Sequence, residues 1–406
     1  MFKSRSLIFI IILAVIVRIV YMLFFLDLNN DNYWEYGYIA NNINSEKGFS
    51  LFYFENDTLK QEFNQNANPY PSAFMSPLYI FYLLPFFNIG DIYIKNILIV
   101  LSQILLSIVT IIFLYRFTKL IFGIRPALIS ALLVAVIPEY IYITGIHNAV
   151  VQYHFLIILL FFFIVKTTFE DNLKGIIIFT IITSAIVYLR SEFFLFYLLT
   201  LVYLSFNKKF KFVSASIVIF ILILSPWIIR NEIVFNKFIP LTTSSGLNLY
   251  RGNNDTKIGY WGETYFIKEI NKLSNGTNFE IVYDKYYRDK ALSFILNNPV
   301  KSFTNSFNKI ISLWILNVSD ERSFNLFYII PSLIVTLFSI MGLIKTFNIT
   351  RFSSVYIFLI STTITSAIFL TLPRYQIMMK IILIPFCAFY LNHIISIFDK
   401  KLFNSN

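Results

Sequence analysis

Three carboxylates, Asp27, Asp31 and Glu35, fall close together just after the first long apolar run. A carboxylate held at the border between an apolar medium and water can take a proton from a hydroxyl or hold a divalent cation. If the stretch is helical, Asp31 and Glu35 share a face. The competing reading is a solvated helix exit with aromatic residues such as Trp34 and Tyr36 around it. A second acid/base pair, Glu139 and His147, flanks a turn between two apolar runs, where hydrated surface residues are the alternative. Arg190 and Glu192 stand where two runs meet, and Arg18 lies inside the first. Charges at such places are costly, so each is either paired across helices or offers its guanidinium fork to phosphate oxygens. Arg190, at a junction, is expected to reach outward to the headgroup level. Arg230 closes another run, and Arg374 with Tyr375 opens the last. Between them, Tyr250, Asn253 and Asn254 follow a string of turn formers; their amides suit a hydroxyl-rich ligand.

The elements that must place these residues are apolar. The chain has 406 residues, 57% of them hydrophobic, with 46 Phe, 26 Tyr and only 14% charged. Its mean hydropathy is +0.69. Soluble domains are about a quarter charged, and surface-to-volume scaling leaves no way to bury this much apolar surface in water. Soluble enzymes and disordered chains are therefore excluded. The apolar residues come in blocks of about 15 to 25, enough to cross a hydrocarbon core about 30 Å thick. The fold class expected is an all-α polytopic membrane protein, because a membrane barrel would show short alternating segments instead. One cysteine, Cys387, excludes an intramolecular disulfide and a Cys-based metal site. Three histidines, His147, His154 and His393, argue against a His-rich centre.

The first run, 7–26, follows Lys3 and Arg5. Its length, its Arg18 and the lack of a small-residue cleavage site set it apart from a signal peptide. It reads as a retained helix with a cytoplasmic N-terminus. Basic clusters then recur at Arg116, Lys119 and Arg125, at Lys166 and Lys174, at Lys208, Lys209 and Lys211, at Lys345 and Arg351, and at Lys400 and Lys401. The positive-inside rule places these and both termini in the cytoplasm. Ten spans satisfy the pattern: 6–26, 95–119, 126–144, 148–166, 175–189, 190–206, 212–229, 324–344, 352–372 and 376–398. Two shorter apolar pieces, 77–87 and 303–316, are expected as interfacial or re-entrant helices on the outer face. Two long polar segments, 27–94 and 230–323, fall outside, and structureless loops of that length are usually functional. The whole, 1–406, is expected to be one integral-membrane domain without a separate soluble C-terminal domain.

In their order, these pieces resemble the GT-C glycosyltransferases, in particular the bacterial dolichyl-phosphate-mannose protein mannosyltransferase-like group. The resemblance covers most of the chain. It is carried by the acidic first outer segment with Tyr36, Ala40, Gly48 and Phe49, by Ser76, Pro77, Leu78 and Tyr79, and by Tyr188, Arg190 and Glu192. Further support comes from the stretch Pro226, Trp227, Arg230 and Asn231 through Gly252, Asn253 and Asn254, and from Arg374 with Tyr375. It implies a bundle of about ten to twelve spans in a bacterial plasma membrane, and a hexosyl- or pentosyltransferase working outside. The implied donor is a polyprenyl-phosphate sugar, and the acceptor a lipid, glycan or protein; no nucleic acid partner is expected. Asp31 is the implied base, with Glu35 and Glu139 as further acids. Arg190, Arg230 and Arg374 would hold the lipid phosphate, while Tyr36, His147, Tyr250, Asn253, Asn254 and Tyr375 would line the substrate site. Some members use a divalent cation, for which Asp31 is the candidate ligand. Where many members carry an acid early in the fourth span, this chain has His147, Asn148 and Gln152. The alternatives are a flippase for a lipid-linked glycan and a surface-polysaccharide polymerase or ligase. Low glycine, 12 residues, and no visible repeat argue against a transporter.

Overall fold

In hydrocarbon every backbone N–H and C=O must be satisfied within its own segment, so the apolar runs fold as helices. The computed structural model describes residues 2–30, 32–56, 58–167, 169, 172–254, 278–316 and 325–404. Along the chain it gives α1 (Phe2–Phe25), α2 (Trp34–Asn44), strands β1 (Tyr53–Glu55) and β2 (Thr58–Lys60), α3 (Pro77–Phe87), α4 (Ile92–Phe122), α5 (Ile124–Val136), α6 (Pro138–Tyr142), α7 (Val150–Thr167), α8 (Leu173–Leu189), α9 (Phe194–Phe206) and α10 (Phe210–Phe235). The second half holds α11 (Ser245–Gly252), α12 (Phe279–Asn297), α13 (Pro299–Trp314), α14 (Leu326–Lys345), α15 (Ser353–Ile368) and α16 (Pro373–Asn404). The strands form one antiparallel hairpin, with Tyr53 opposite Lys60 and Phe54 opposite Leu59.

Among the described residues, α1, α4, α7, α10, α14 and α16 are long and apolar enough to cross a membrane. The pair α5–α6 passes the same test as one broken span, bent by 62°. Three further apolar helices, α8, α9 and α15, are shorter and correspond to the expected spans 175–189, 190–206 and 352–372. The interfacial pieces appear as α3 and α13, the second a few residues earlier than expected.

The break in the third span explains Arg18. Pro138 has no N–H to offer Val134, so the carbonyls of the last turn of α5 lose their helical partners. Arg18 is fully buried and supplies them, donating to Val134 O (3.0 Å), Ala135 O (3.2 Å) and Tyr140 O (3.2 Å), and to Ser107 Oγ (3.1 Å). Of the two readings, Arg18 is thus paired across helices, with carbonyls at the break as its partners.

The described parts of the two polar segments form one layer. Thr243 N donates to Ala73 O (3.0 Å). Ala73 N in turn donates to Glu280 Oε2 (2.8 Å), which also accepts from Thr243 Oγ1 (2.7 Å). Phe52, Phe74 and Phe279 pack edge to face beneath, with Phe52 5.2 Å from Phe74 and 5.6 Å from Phe279. Trp227, about two turns before the end of α10, bonds Leu241 O (2.8 Å) and so holds the returning chain against the helix.

Candidate active site

Arg190 is the point where the site forms. Helix α8 stops at Leu189, and a short 3-10 turn over Ser191–Phe193 leads into α9. Arg190 occupies that break in extended conformation, so its side chain can leave the helix pair. It does not reach out into solvent as expected but is 9% exposed. Its guanidinium grips Glu192 Oε1, with Nε at 2.7 Å and a second nitrogen at 2.5 Å. It also lies over the ring of Tyr375, 4.8 Å from the centroid. Arg374 faces the same ring at 5.6 Å. Arg374 is exposed, and among the described residues it makes no ion pair.

Tyr36, on the first turn of α2, completes this corner. Its phenol is buried and lies within electrostatic reach of Arg190, Arg374, Glu35 and Glu192. Burial raises its pKa, against the pull of the two arginines. The ring packs edge to face on Tyr79 of α3 at 4.9 Å. Arg251, on α11, reaches the same field through Tyr375, Arg374 and Glu35. The corner thus brings together Arg190, Arg251, Arg374, Glu35, Glu192, Tyr36 and Tyr375, drawn from four parts of the chain. Arg251 was missed in the sequence, where it looks like a solvated cation among turn formers, although Tyr250 and Asn253 beside it were singled out.

Asp31 lies outside the described residues. Asn32 and Tyr33 beside it are not helical, and α2 begins only at Trp34. The preceding Asn and Asp side chains fold back on the backbone: Asn29 N donates to Asp27 Oδ1 (3.0 Å) and Asn32 N to Asn30 Oδ1 (2.9 Å). Such local bonds favour turns over helix. The segment is fastened from below by Asn96, which donates to Leu28 O (2.7 Å) and Asn30 O (2.9 Å) and accepts from Tyr33 Oη.

His147 also serves this segment. Its ring packs 4.5 Å from Tyr33 and bonds the Asn32 backbone. Burial and the nearby Lys95 push its pKa down to about 4, so it is neutral at ordinary pH. Glu139 does not pair with it. That carboxylate instead lies in the field of Lys380 on α16.

The remaining candidates are occupied with backbone. Arg230 donates to Ser72 O (2.7 Å) and Phe49 O (2.9 Å), tying α10 to the first outer segment, and its face lies over Trp227 (5.2 Å). Asn253 Nδ2 donates to Leu249 O and Ile368 O, both at 2.8 Å, and Asn254 Nδ2 to Tyr250 O (2.8 Å). Tyr250 packs on Tyr287 at 5.2 Å. Among the described residues no three His, Cys, Asp or Glu side chains come together to hold a metal. A ligand set built on Asp31 falls outside them.

The helices and the layer that joins the two polar segments form a polytopic all-α membrane fold. Residues 76–229 match the sequence model of the family described as dolichyl-phosphate-mannose-protein mannosyltransferase. Among solved structures, the archaeal oligosaccharyltransferase AglB from Archaeoglobus fulgidus, in complex with an inhibitory peptide and a dolichol-phosphate, is similar over 100% of this chain and 52% of its own, with a TM-score of 0.58 and 13% identity. The A. fulgidus oligosaccharyltransferase in its apo form is similar over 99% of this chain and 52% of its own, with a TM-score of 0.57 and 12% identity. The chain therefore spans about half the length of these structures, and the likeness is one of fold. Comparison with curated proteins finds no match.

Proposed function

We propose that this chain transfers a sugar from a polyprenyl-phosphate carrier to an acceptor hydroxyl at the outer face of a bacterial plasma membrane. The observation that carries this reading is the corner at which Arg190, Arg251 and Arg374 meet two tyrosines and Glu35, next to the segment holding Asp31. A cationic corner beside apolar helices suits a phosphate whose lipid tail stays in the membrane. The fold and the family match over 76–229 point the same way.

In the proposed reaction Asp31 takes the proton from the acceptor hydroxyl. The oxygen attacks the anomeric carbon from the face opposite the phosphate, the new glycosidic bond forms, and the bond from carbon to phosphate oxygen breaks. The configuration inverts, and polyprenyl phosphate leaves with its negative charge set against Arg374 and Arg251. Such preorganised cations act where charge develops. Arg190, neutralised by Glu192, shapes the corner and holds Tyr375. The acceptor is a lipid, a glycan or a protein.

The test is Asp31→Asn in cells and in purified protein. Transfer should fall at least about 100-fold, the usual scale for loss of a general base, with accumulation in the membrane unchanged. Full transfer by that variant would reject Asp31 as the base. Labelled glycolipid that crosses liposome membranes without a new glycosidic bond would favour a flippase instead.

A further inference from the structure

The outer end of α15 stops without a glycine cap, leaving its last carbonyls in need of partners. Helix α13 and the end of α11 supply them. Ser306 Oγ donates to Ala367 O (2.9 Å), and Asn253 Nδ2 to Ile368 O (2.8 Å). Lys309, only 1% exposed, points its ammonium into the middle of this group. It donates to Phe369 O (2.9 Å), Gly252 O (3.2 Å) and Ile368 O (3.3 Å). Thr371 Oγ1 returns a bond to Lys309 O (3.2 Å). A few residues on, Gln376 Nε2 donates to Ile315 O (2.9 Å) just past the end of α13. The approach is so close that a Cβ on Gly252 would fall 1.5 Å from Phe369 O.

Three features make this more than ordinary packing. An ammonium has three donors, and here three carbonyls from two separate outer segments take them. A cation at a helix C-terminus also meets the negative end of its dipole. The segment so gripped, 367–372, leads directly into Arg374 and Tyr375, while Gly252 follows Arg251. A single ammonium therefore fixes both chain pieces that carry Arg251 and Arg374 of the corner. Burial lowers the Lys309 pKa to about 8, in keeping with a cation held by carbonyls rather than by a carboxylate.

We propose that Lys309 is a positioning residue: it clamps the 367–372 strap to the end of α11 and so sets the spacing of Arg374 and Arg251 for one phosphate. The proposal rests on the reading of the corner as a lipid-phosphate site, but the clamp itself can be tested without it. Lys309→Met keeps most of the stem and removes the donors; Lys309→Arg keeps a cation with donors.

In the full chain reconstituted in lipid nanodiscs, hydrogen exchange should show at least about tenfold faster exchange at 366–376 and 249–254 in Lys309→Met, with α4 and α7 unchanged. Lys309→Arg should recover part of that protection. With a polyprenyl-phosphate sugar as donor, the donor KM of Lys309→Met should rise about tenfold or more while the acceptor KM stays within twofold. Should Lys309→Met fail to accumulate, Thr371→Val takes its place, removing the returning bond and loosening the same strap. Unchanged exchange in whichever variant accumulates would overturn the clamp. Faster exchange with both KM values unaltered would overturn its role at the phosphate. A wild-type chain that transfers no sugar would overturn the functional reading instead, and the exchange result would still decide whether Lys309 is the clamp.

Discussion

Arg190 and Glu192 lie two residues apart, and their value depends on the plane between Arg190 and Tyr375. A guanidinium can hold one carboxylate oxygen with two nitrogens and lie flat on a ring, whereas an ammonium cannot do both. Arg190→Lys should therefore leave the chain in the membrane but displace Tyr375, raising the donor KM about tenfold or more, which steady-state kinetics on varied donor lipid would read. A donor KM within twofold of wild type would remove Arg190 from the site. Glu280 allows a second prediction. Burial raises its pKa from 4.5 to about 6 although Ala73 and Thr243 donate to it. The folded chain therefore holds this proton more tightly than the unfolded one. Its contribution is greatest below pH about 4.5 and is lost as pH rises to about 6, with no further change above. Glu280→Gln should remove that segment of the pH profile, of the order of 1–2 kcal/mol, as seen in thermal midpoints in detergent from pH 4 to 8. A profile unchanged by the substitution would refute the assignment. Single residues were legible in the sequence to different degrees. Arg190, Tyr36 and Tyr375 stood out because a charge or phenol at the end of an apolar run needs a reason. Arg230, Asn253 and Asn254 were chosen by type; Arg230 and Asn253 engage carbonyls far along the chain, a pairing sequence does not show, whereas Asn254 bonds within its own turn.

At the scale of elements, the break between α5 and α6 shows how one proline determines a distant arginine. Arg18 answers the carbonyls that Pro138 leaves unpaired, deep among helices where water offers no substitute. Arg18→Met should destabilise the fold by about 3 kcal/mol or more, because several buried carbonyls lose their donors at once. In a Pro138→Ala background, where the helix can run on and pair some of those carbonyls itself, the same substitution should cost at least about 1 kcal/mol less. A double-mutant cycle on detergent unfolding reads the coupling, and strict additivity would show that Arg18 serves another purpose. The sequence indicated where these helices lie because hydrocarbon thickness and the pairing of backbone groups leave little choice. It indicated α3 within its residues and α13 within a few. It did not indicate α11, which has only eight residues, or α12, whose surface carries no apolar period strong enough to read, nor that α2 would begin at Trp34, after turns made by Asn and Asp side chains.

The whole molecule has an apolar girdle and a polar layer at one side, and the charge rule predicts which way that layer faces. Phe9, Leu23, Leu105 and Ile233 stand exposed on the flanks of long helices, as lipid-facing residues must. Inner turns are short and basic: Asn207 and Lys208 between α9 and α10, Thr350 and Arg351 between α14 and α15. The opposite side carries α2, the hairpin, α11, α12 and α13, together with the arginine corner. If the charge rule sets the direction, every residue of that layer must face away from the cytoplasm, because a donor phosphate delivered on the other side would never meet it. The single native cysteine, Cys387, is 0% exposed and will not report, so introduced cysteines can. Ser45→Cys on the first outer segment and Ser293→Cys on α12 should react with a membrane-impermeant maleimide in intact cells. Asn207→Cys and Thr350→Cys should react only after the membrane is opened. Labelling of Thr350→Cys but not Ser293→Cys in intact cells would invert the molecule and place the corner in the cytoplasm, where nucleotide sugars rather than a polyprenyl-phosphate sugar would be the nearer donors. The four positions also test the count of crossings. Between residues 207 and 350 lie α10 and α14, an even number, whereas an odd number of crossings between residues 45 and 207 requires that all three of α8, α9 and the bent α5–α6 pair, or just one of them, cross in addition to α4 and α7. Labelling of Ser45→Cys and Asn207→Cys from the same side would therefore show that one or all three of α8, α9 and the bent pair lie in the plane of the membrane instead of through it.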